Sequence, residues 1–456
     1  MFRHNLQLWK FTSLAILLAM LVAACAPAAP SGSTGGAADS GTGAGASAGD
    51  SSAEINVWVD ATRLPAVEKF QELHPDVAHL IRTSTVDRGE FPAKVLLFNN
   101  SGSGWPDVVF AEPSIVARVA DESHDYPADL YEWVDQEIID GFAEGSLDPC
   151  IHEGKLVCLR NDLAQEILYY NVPLMEEFGY EVPDTWEEYE ALGLRVAEEH
   201  PGYVIGAFGD VAGLRFYFWP SECPVNEELS STQIRINLEH PNCIRMAQML
   251  DRLLEAGAIE MLSPFDPGFV EIANQNRLLM MPAASWYGQY VFGGQPDSTY
   301  YQTAEGQLGV APVPKWSDQE TRWTGAQGGA AWTMSRHTAN PELASQLVVW
   351  LTTSEEYQGR MAPTFPAYLP AADIWSETIS SNPLYAFDPF PVMKDAASLI
   401  DPKWREGKFD YAEPFGTTVI ETLLAGGTVE EALPRYQDAL VALAQAEGYD
   451  VITEGP

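Results

Sequence analysis

Ile55-Asn56-Val57-Trp58-Val59 opens the folded part of the chain as a β run, and Leu64, Val67, Phe70 and Leu73 follow at helical spacing. A second β run, Val77 to Ile81, leads into a helical stretch ending at Phe98, and Asp107-Val108-Val109-Phe110 reads as a third strand. The order βαβαβ demands crossovers and parallel neighbours, so it predicts an α/β fold on a mostly parallel sheet.

Further along, Ile167 to Tyr170 and Val204 to Ala207 read as strands. Between them Thr185, with Glu188 three residues on, forms a capping box that starts a helix. Arg277 to Met281, Gly309 to Val313 and Ala330 to Met334 read as later strands, and Asn340-Pro341-Glu342 starts a helix through Leu351. A second box, Thr428 with Glu431, precedes the helix Ala432 to Ala446. Two α/β units therefore share one chain.

Upstream of Ile55 the chemistry changes. Arg3 and Lys10, an apolar core from Phe11 to Val22, and Ala23-Ala24 before Cys25 have the order of a secretion signal. The apolar core is shorter than the ~20 residues that span a bilayer. The run Leu21-Val22-Ala23-Ala24-Cys25 predicts a signal peptide over residues 1–24 and a lipid on Cys25. Residues 25–53 are otherwise Ala, Pro, Ser, Gly and Thr with two Asp, too poor in apolar surface to repay ordering. They read as a disordered tether with a reach of about 30 Å.

The chain has 456 residues, 46% hydrophobic and 11% aromatic, enough for two or three domains with real cores. Its 25 Lys and Arg against 65 Asp and Glu give −40, and losing Arg3 and Lys10 with the signal makes this −42. A field of that sign excludes nucleic acid and makes an anionic ligand less attractive than a neutral or cationic one. If Cys25 carries lipid, Cys150, Cys158, Cys223 and Cys243 remain, an even number suited to an oxidising compartment. Three pairings can be written, and nearest-neighbour pairing, Cys150 with Cys158 and Cys223 with Cys243, is expected. In the chain-entropy account these loops contribute about 2.5 and 3.3 kcal/mol. Their spacings lack the close pairs of zinc ligands, so no metal or cofactor is expected.

Catalytic signatures are missing: no nucleophile elbow, no zinc-protease motif, no glycine-rich phosphate loop. His74 and His79 straddle a proline and read as surface residues. Acid pairs suited to glycoside hydrolysis carry no specificity among 65 acids. A binding protein is expected, not an enzyme.

Seven stretches occur in a telling order: Ile55 to Asp60, Trp105 to Phe110, Gly154-Lys155-Leu156 leading to Tyr169-Tyr170-Asn171, Pro183 to Glu188, Leu279-Met280-Met281 to Trp286, Gly309 to Pro314, and Thr428 to Leu433. Together they resemble the carbohydrate-type extracellular solute-binding proteins of ATP-binding-cassette importers, the group that includes maltose-binding protein. The resemblance implies a two-lobed, type II periplasmic-binding-protein-like fold with a sugar in the cleft between lobes and a membrane permease as partner. It implies discontinuous lobes, with residues 54–160 plus 315–367 as the N-lobe and 161–314 plus 368–456 as the C-lobe. Crossings are expected near Arg160 to Gln165, Val310 to Pro314 and Phe365 to Pro370. A monomer moored by Cys25 on the outer face of the cytoplasmic membrane follows. The four body cysteines depart from the general family pattern. The alternatives are a non-sugar solute such as a polyol, polyamine or glycerol phosphate on the same fold, or an extracellular polysaccharide-degrading enzyme.

A sugar site needs an aromatic platform for the ring's C–H faces and planar polar side chains for its hydroxyls. In open α/β sheets ligands sit beyond the carboxyl ends of strands. Asp60 follows the first strand, Glu112 follows the third, and Asn161 and Asp162 sit at the first crossing. Arg63 is placed to pair with a cleft carboxylate. The resemblance implies a ligand-facing tryptophan after the Met-Met strand, which is Trp286, and another aromatic near Tyr411, with Trp404 and Phe415 as alternates. Trp219 and Tyr287 are further candidates, whereas Trp58 reads as core.

Overall fold

The strands that frame the molecule are, in chain order, β1 (Ile55–Val59), β2 (Ile81–Thr85), β3 (Val108–Ala111), β4 (Leu159–Arg160), β5 (Glu166–Asn171), β6 (Gly206–Ala207), β7 (Ile259–Glu260), β8 (Met280–Ala284), β9 (Leu308–Pro312) and β10 (Ala331–Met334). The computed structural model describes residues 50–293, 301–401, 403, 408–409 and 411–455. The expected signal peptide and Cys25 lie outside the described residues.

The first sheet grows from β1, which pairs in parallel with β2, Ile55 opposite Ile81, and with β3, Val57 opposite Val108. Helices α1 (Leu64–Leu73) and α2 (Phe91–Ser101) make the crossovers, each with a proline in its first turn where the missing N–H costs nothing. The face of α1 carrying Ala66, Val67 and Phe70 is buried. The second strand begins at Ile81, four residues later than the sequence reading placed it. Val77 and Leu80 spend their N–H groups on the carbonyls of His74 and Val77, forming a turn that delays the ladder. Antiparallel to β3, β10 joins it to β4, completing the order β2-β1-β3-β10-β4.

The second sheet centres on β5, antiparallel to β8 on one side and β9 on the other. Strands β6 and β7 pair in parallel, and a Val204–Leu278 bridge ties them to β8. Pairing is therefore parallel within β1–β3 and β6–β7, where helices make the crossovers, and antiparallel at β5 and β10. The expected mostly parallel pairing fails at those two strands because each arrives from the other lobe and enters its sheet against the local direction.

Both capping boxes form: Thr185 with Glu188 at the head of Trp186–Glu199, and Thr428 with Glu431 at the head of Val429–Ala446. Asn340 caps Pro341–Thr353 and also donates to the carbonyls of Ser51 and Ala53. Residues 50–53, expected at the end of the tether, are thus hydrogen-bonded to the first lobe, with Asp50 N–H on the Ala339 carbonyl at 2.8 Å. Trp58 packs edge-on against Phe91 and Phe98 in the core, as expected.

Residues 161–165, expected as the first crossing, join β4 to β5. A second crossing is expected at Val310 to Pro314. Strand β9 pairs with β5, Lys315 bridges Thr185, and Trp316 is buried beneath the Arg245 guanidinium at 4.4 Å. Ala326 then bridges Gln165, and Ala331–Met334 pairs in the first sheet. The third passage runs beside the first, with Asp162 bridging Pro366.

The cysteines form two buried disulfides, Cys150–Cys158 in the first lobe and Cys223–Cys243 in the second. No helix among the described residues is long and apolar enough to cross a membrane.

Candidate functional site

A cleft of about 850 Å³ opens between the lobes where the strands of the first sheet end and the crossing segments pass. Asp60, just beyond β1, does not itself line it. Its carboxylate accepts from Arg63 N–H at 2.8 Å and meets Arg63 Nη1 at 3.5 Å, setting the start of α1 and the direction of that arginine. Arg63 does line the cleft, with its guanidinium 4.8 Å from the Phe110 ring of the first lobe and 5.9 Å from the Tyr290 ring of the second. Glu112, beyond β3, lines the cleft and pairs with Arg88 at 2.7 Å.

The floor is built by the crossings. Asp162 lines it, while Asn161 is buried beneath as a support. Asn161 accepts from Trp332 Nε1 at 3.2 Å and Gln358 Nε2 at 2.9 Å and donates to Asp162 at 3.1 Å. Expected among the ligand residues, Asn161 does not line the cleft, and its amide turns toward Trp332 of β10. Gly328 and Gly329 complete the floor with φ of 90° and 77°. A Cβ at Gly329 would sit 2.0 Å from Arg160 Nη2 and 2.8 Å from the Asp162 carbonyl, so only glycine lets the two crossings approach.

The second lobe contributes aromatic rings. Trp286 lies two residues past β8 and donates from Nε1 to the Gln327 carbonyl at 2.8 Å, which fixes the ring at the cleft wall. Phe265 lies nearly parallel to it, 6.3 Å between centroids. Tyr411 is also in the wall, with the Arg215 guanidinium 5.2 Å from its ring. Tyr287 is not: it is wholly buried, edge-on to Phe216 and covered by the Trp286 ring, whose centroid lies 4.3 Å away. Trp219 is wholly buried with Nε1 on Asn226 at 2.8 Å, and Phe415 packs edge-on to Tyr436, so both are core. Trp404 lies outside the described residues.

Several wall residues escaped the sequence reading. Arg88 follows the carboxyl end of β2, and the rule that selected Asp60 and Glu112 would have found it had that strand been placed at Ile81–Thr85. Arg215 and Tyr290 sit on π-helical turns, Leu214–Phe218 and Gly288–Phe292, which carry no recognisable sequence signal and recur at functional sites. Arg118, Phe265, Lys408 and Phe409 are further wall residues that the sequence reading missed. Lys408 pairs with Asp121 of the first lobe at 3.0 Å and lies over Tyr449 of the second. Behind the wall, burial raises the Glu166 carboxyl well above its ordinary range, although the Gly325 N–H at 3.2 Å and the nearby Arg215 oppose the shift.

A two-lobed α/β molecule with a polar and aromatic cleft between its lobes is the architecture of a solute-binding protein. The chain belongs to the family described as bacterial extracellular solute-binding protein, which matches residues 56–358. It is 21% identical to the arabinooligosaccharide-binding protein of Bacillus subtilis (strain 168) over 322 residues, 68% of this chain and 70% of that protein. Its fold matches the galacto-N-biose/lacto-N-biose I-binding protein of an ABC transporter from Bifidobacterium longum, solved with lacto-N-biose, at TM-score 0.67 and 18% identity, covering 88% of this chain and all of that one. It also matches an ABC transporter associated binding protein from B. animalis subsp. lactis Bl-04, solved with β-1,6-galactobiose, at TM-score 0.70 and 15% identity, covering 88% and 99%.

Proposed function

We propose that this protein captures a sugar or oligosaccharide outside the cell and delivers it to the permease of an ATP-binding-cassette importer. The observation that carries this reading is the cleft itself, with Trp286, Tyr290 and Tyr411 on one side and Arg63, Arg88 and Glu112 on the other. Rings stack on the C–H faces of a pyranose while charged and planar groups take its hydroxyls. At about 850 Å³ the cleft has room for more than a single sugar ring. The relatives named above are described as binders of arabino-oligosaccharides and galactose-containing disaccharides, which points the same way.

A ligand touching both lobes stabilises the closed arrangement by its greater affinity for it, so binding itself does the work and no covalent step is required. Arg63, Glu112, Asp162, Trp286 and Tyr411 are the binding residues in this proposal, and Asp60 and Asn161 hold them in position. The lobes are assigned as residues 54–160 with 331–367 and residues 161–325 with 368–455. Cys25, lipidated after removal of residues 1–24, moors the protein, working as a monomer, at the outer face of the membrane beside its permease.

Calorimetry against mono-, di- and oligosaccharides tests the reading. Saturable heat with at least one sugar is expected. Silence with every sugar, alongside binding of an amino acid or peptide, would overturn the carbohydrate assignment.

A further inference from the structure

The residues that line the cleft are richer in cations than the molecule as a whole, with Asp60, Asp121 and Glu447 just behind them as partners of Arg63, Lys408 and Arg118. Among the described residues the wall holds Arg63, Arg88, Arg118, Arg215 and Lys408 against Asp87, Glu112 and Asp162, which is five minus three, or +2. The whole chain carries −40. One cation in five (five of 25) is therefore spent on this wall, against fewer than one acid in twenty (three of 65). A solvated acidic surface does not produce that segregation, and concave walls of low dielectric concentrate the field of the charges that line them.

The pairing of these cations is uneven. Arg88 and Lys408 meet carboxylates at 2.7 and 3.0 Å. Arg63 and Arg118 hold theirs, Asp60 and Glu447, only at 3.5 and 4.0 Å, beyond close charge-assisted contact. Neither of those two acids belongs to the wall. Arg63 also lies over the Phe110 ring at 4.8 Å. A guanidinium stacked on a ring keeps its N–H donors in its own plane, directed at whatever enters edge-on, and that fork matches a planar oxyanion.

We propose that the sugar taken by this cleft carries an anionic substituent, a uronate carboxylate or a sulfate ester, read by Arg63 and Arg118 opposite the aromatic wall. The inference rests on the carbohydrate reading above and narrows it. It also reverses the expectation drawn from bulk charge, because a ligand inside the cleft meets the wall before it meets the outer surface.

Calorimetry on the mature protein with matched probes decides it: neutral galacto- and gluco-disaccharides, their uronate counterparts, and galactose 6-sulfate. A uronate or sulfate probe is expected to bind at least tenfold more tightly than its neutral partner at low salt, and the gap should shrink as salt screens the wall. Preference for uronate over sulfate would name the carboxylate as the substituent, and the reverse would name the ester. Arg118→Gln, at a more exposed position that leaves folding intact, should remove most of the preference while neutral-sugar affinity changes less, whereas Arg63→Gln should weaken every sugar and the anionic probe most. Equal or tighter binding of the neutral partners would overturn the anionic inference and leave the carbohydrate reading standing. No binding of any probe would overturn the anionic inference, and the wider sugar panel above would then decide the carbohydrate reading.

Discussion

The two walls of the cleft are made of different materials. From the first lobe come Arg63, Asp87, Arg88, Glu112 and Arg118, with no aromatic ring. From the second come Phe265, Trp286, Tyr290, Phe409 and Tyr411, with Arg215 and Lys408 among them. One wall offers directional charge and the other offers area. A sugar bound to either alone would use half of its chemistry, and only closure brings polar edges and ring faces to the same molecule. The division teaches why such a binder needs two lobes: each wall can be preformed rigidly on its own sheet, and the ligand supplies the free energy that joins them.

The largest effect expected separates the lobes by their staples. Replacing Cys223 and Cys243 with Ser should lower stability by about 3.3 kcal/mol, and replacing Cys150 and Cys158 by about 2.5, since the longer loop confines the unfolded chain more. Denaturant unfolding of both variants checks this, and a first-lobe variant that lost more than the second would overturn the ordering. Next, Trp286→Ala should weaken sugar binding by about 2 kcal/mol with little change in melting temperature, because the ring lies in the wall and not in the core. Should the variant fail to fold, the aromatic wall is structural and the comparison collapses.

Gly329→Ala attacks the floor that joins the walls. The added Cβ meets Arg160 and Asp162 at positive φ, so a loss of about 1 to 2 kcal/mol is expected in stability, along with weaker binding. An unchanged melting curve would mean that the crossings can separate freely. The smallest effect is a slope. Burial raises the native pKa of Glu166 above its ordinary 4.5, so the native state holds that proton more tightly than the unfolded chain. Its stability is therefore fullest below about pH 4.5 and declines as pH rises through the native value. Glu166→Gln removes the titration, and its advantage in melting temperature over the parent protein should grow with pH. A constant difference across pH would mean that Glu166 does not titrate abnormally.

Much of the first lobe was readable because its signals are local. The run Ile55 to Val59 and the helical spacing from Leu64 depend on residues within one turn or one strand, as do the Thr185–Glu188 and Thr428–Glu431 boxes of the second lobe. The second strand was misplaced because Val77 and Ile81 are both β-formers, and only pairing with Ile55 selects between them. Glu112, chosen because it follows a strand end, and Trp286, chosen from the resemblance, both line the cleft. The site was unreadable at Arg215 and Tyr290, whose π-helical turns leave no mark on hydrophobic periodicity. Trp219 and Tyr287 looked as suitable as Trp286, since an aromatic residue has the same letter whether its neighbours cover it or not.

By itself the sequence determined the α/β class, the helix starts, the near-neighbour disulfides and a resemblance to solute-binding proteins, because these arise from spacing and from chemistry within short reach. Only the tertiary structure decided that Lys315 and Trp316 pack beside Thr185 and Arg245 and that Asn161 supports where Asp162 lines. It alone revealed five cations gathered on the cleft lining of a chain of −40. Net charge is a sum over the chain, whereas a ligand feels the few charges within a Debye length, and which charges those are is set by contacts between residues far apart in sequence.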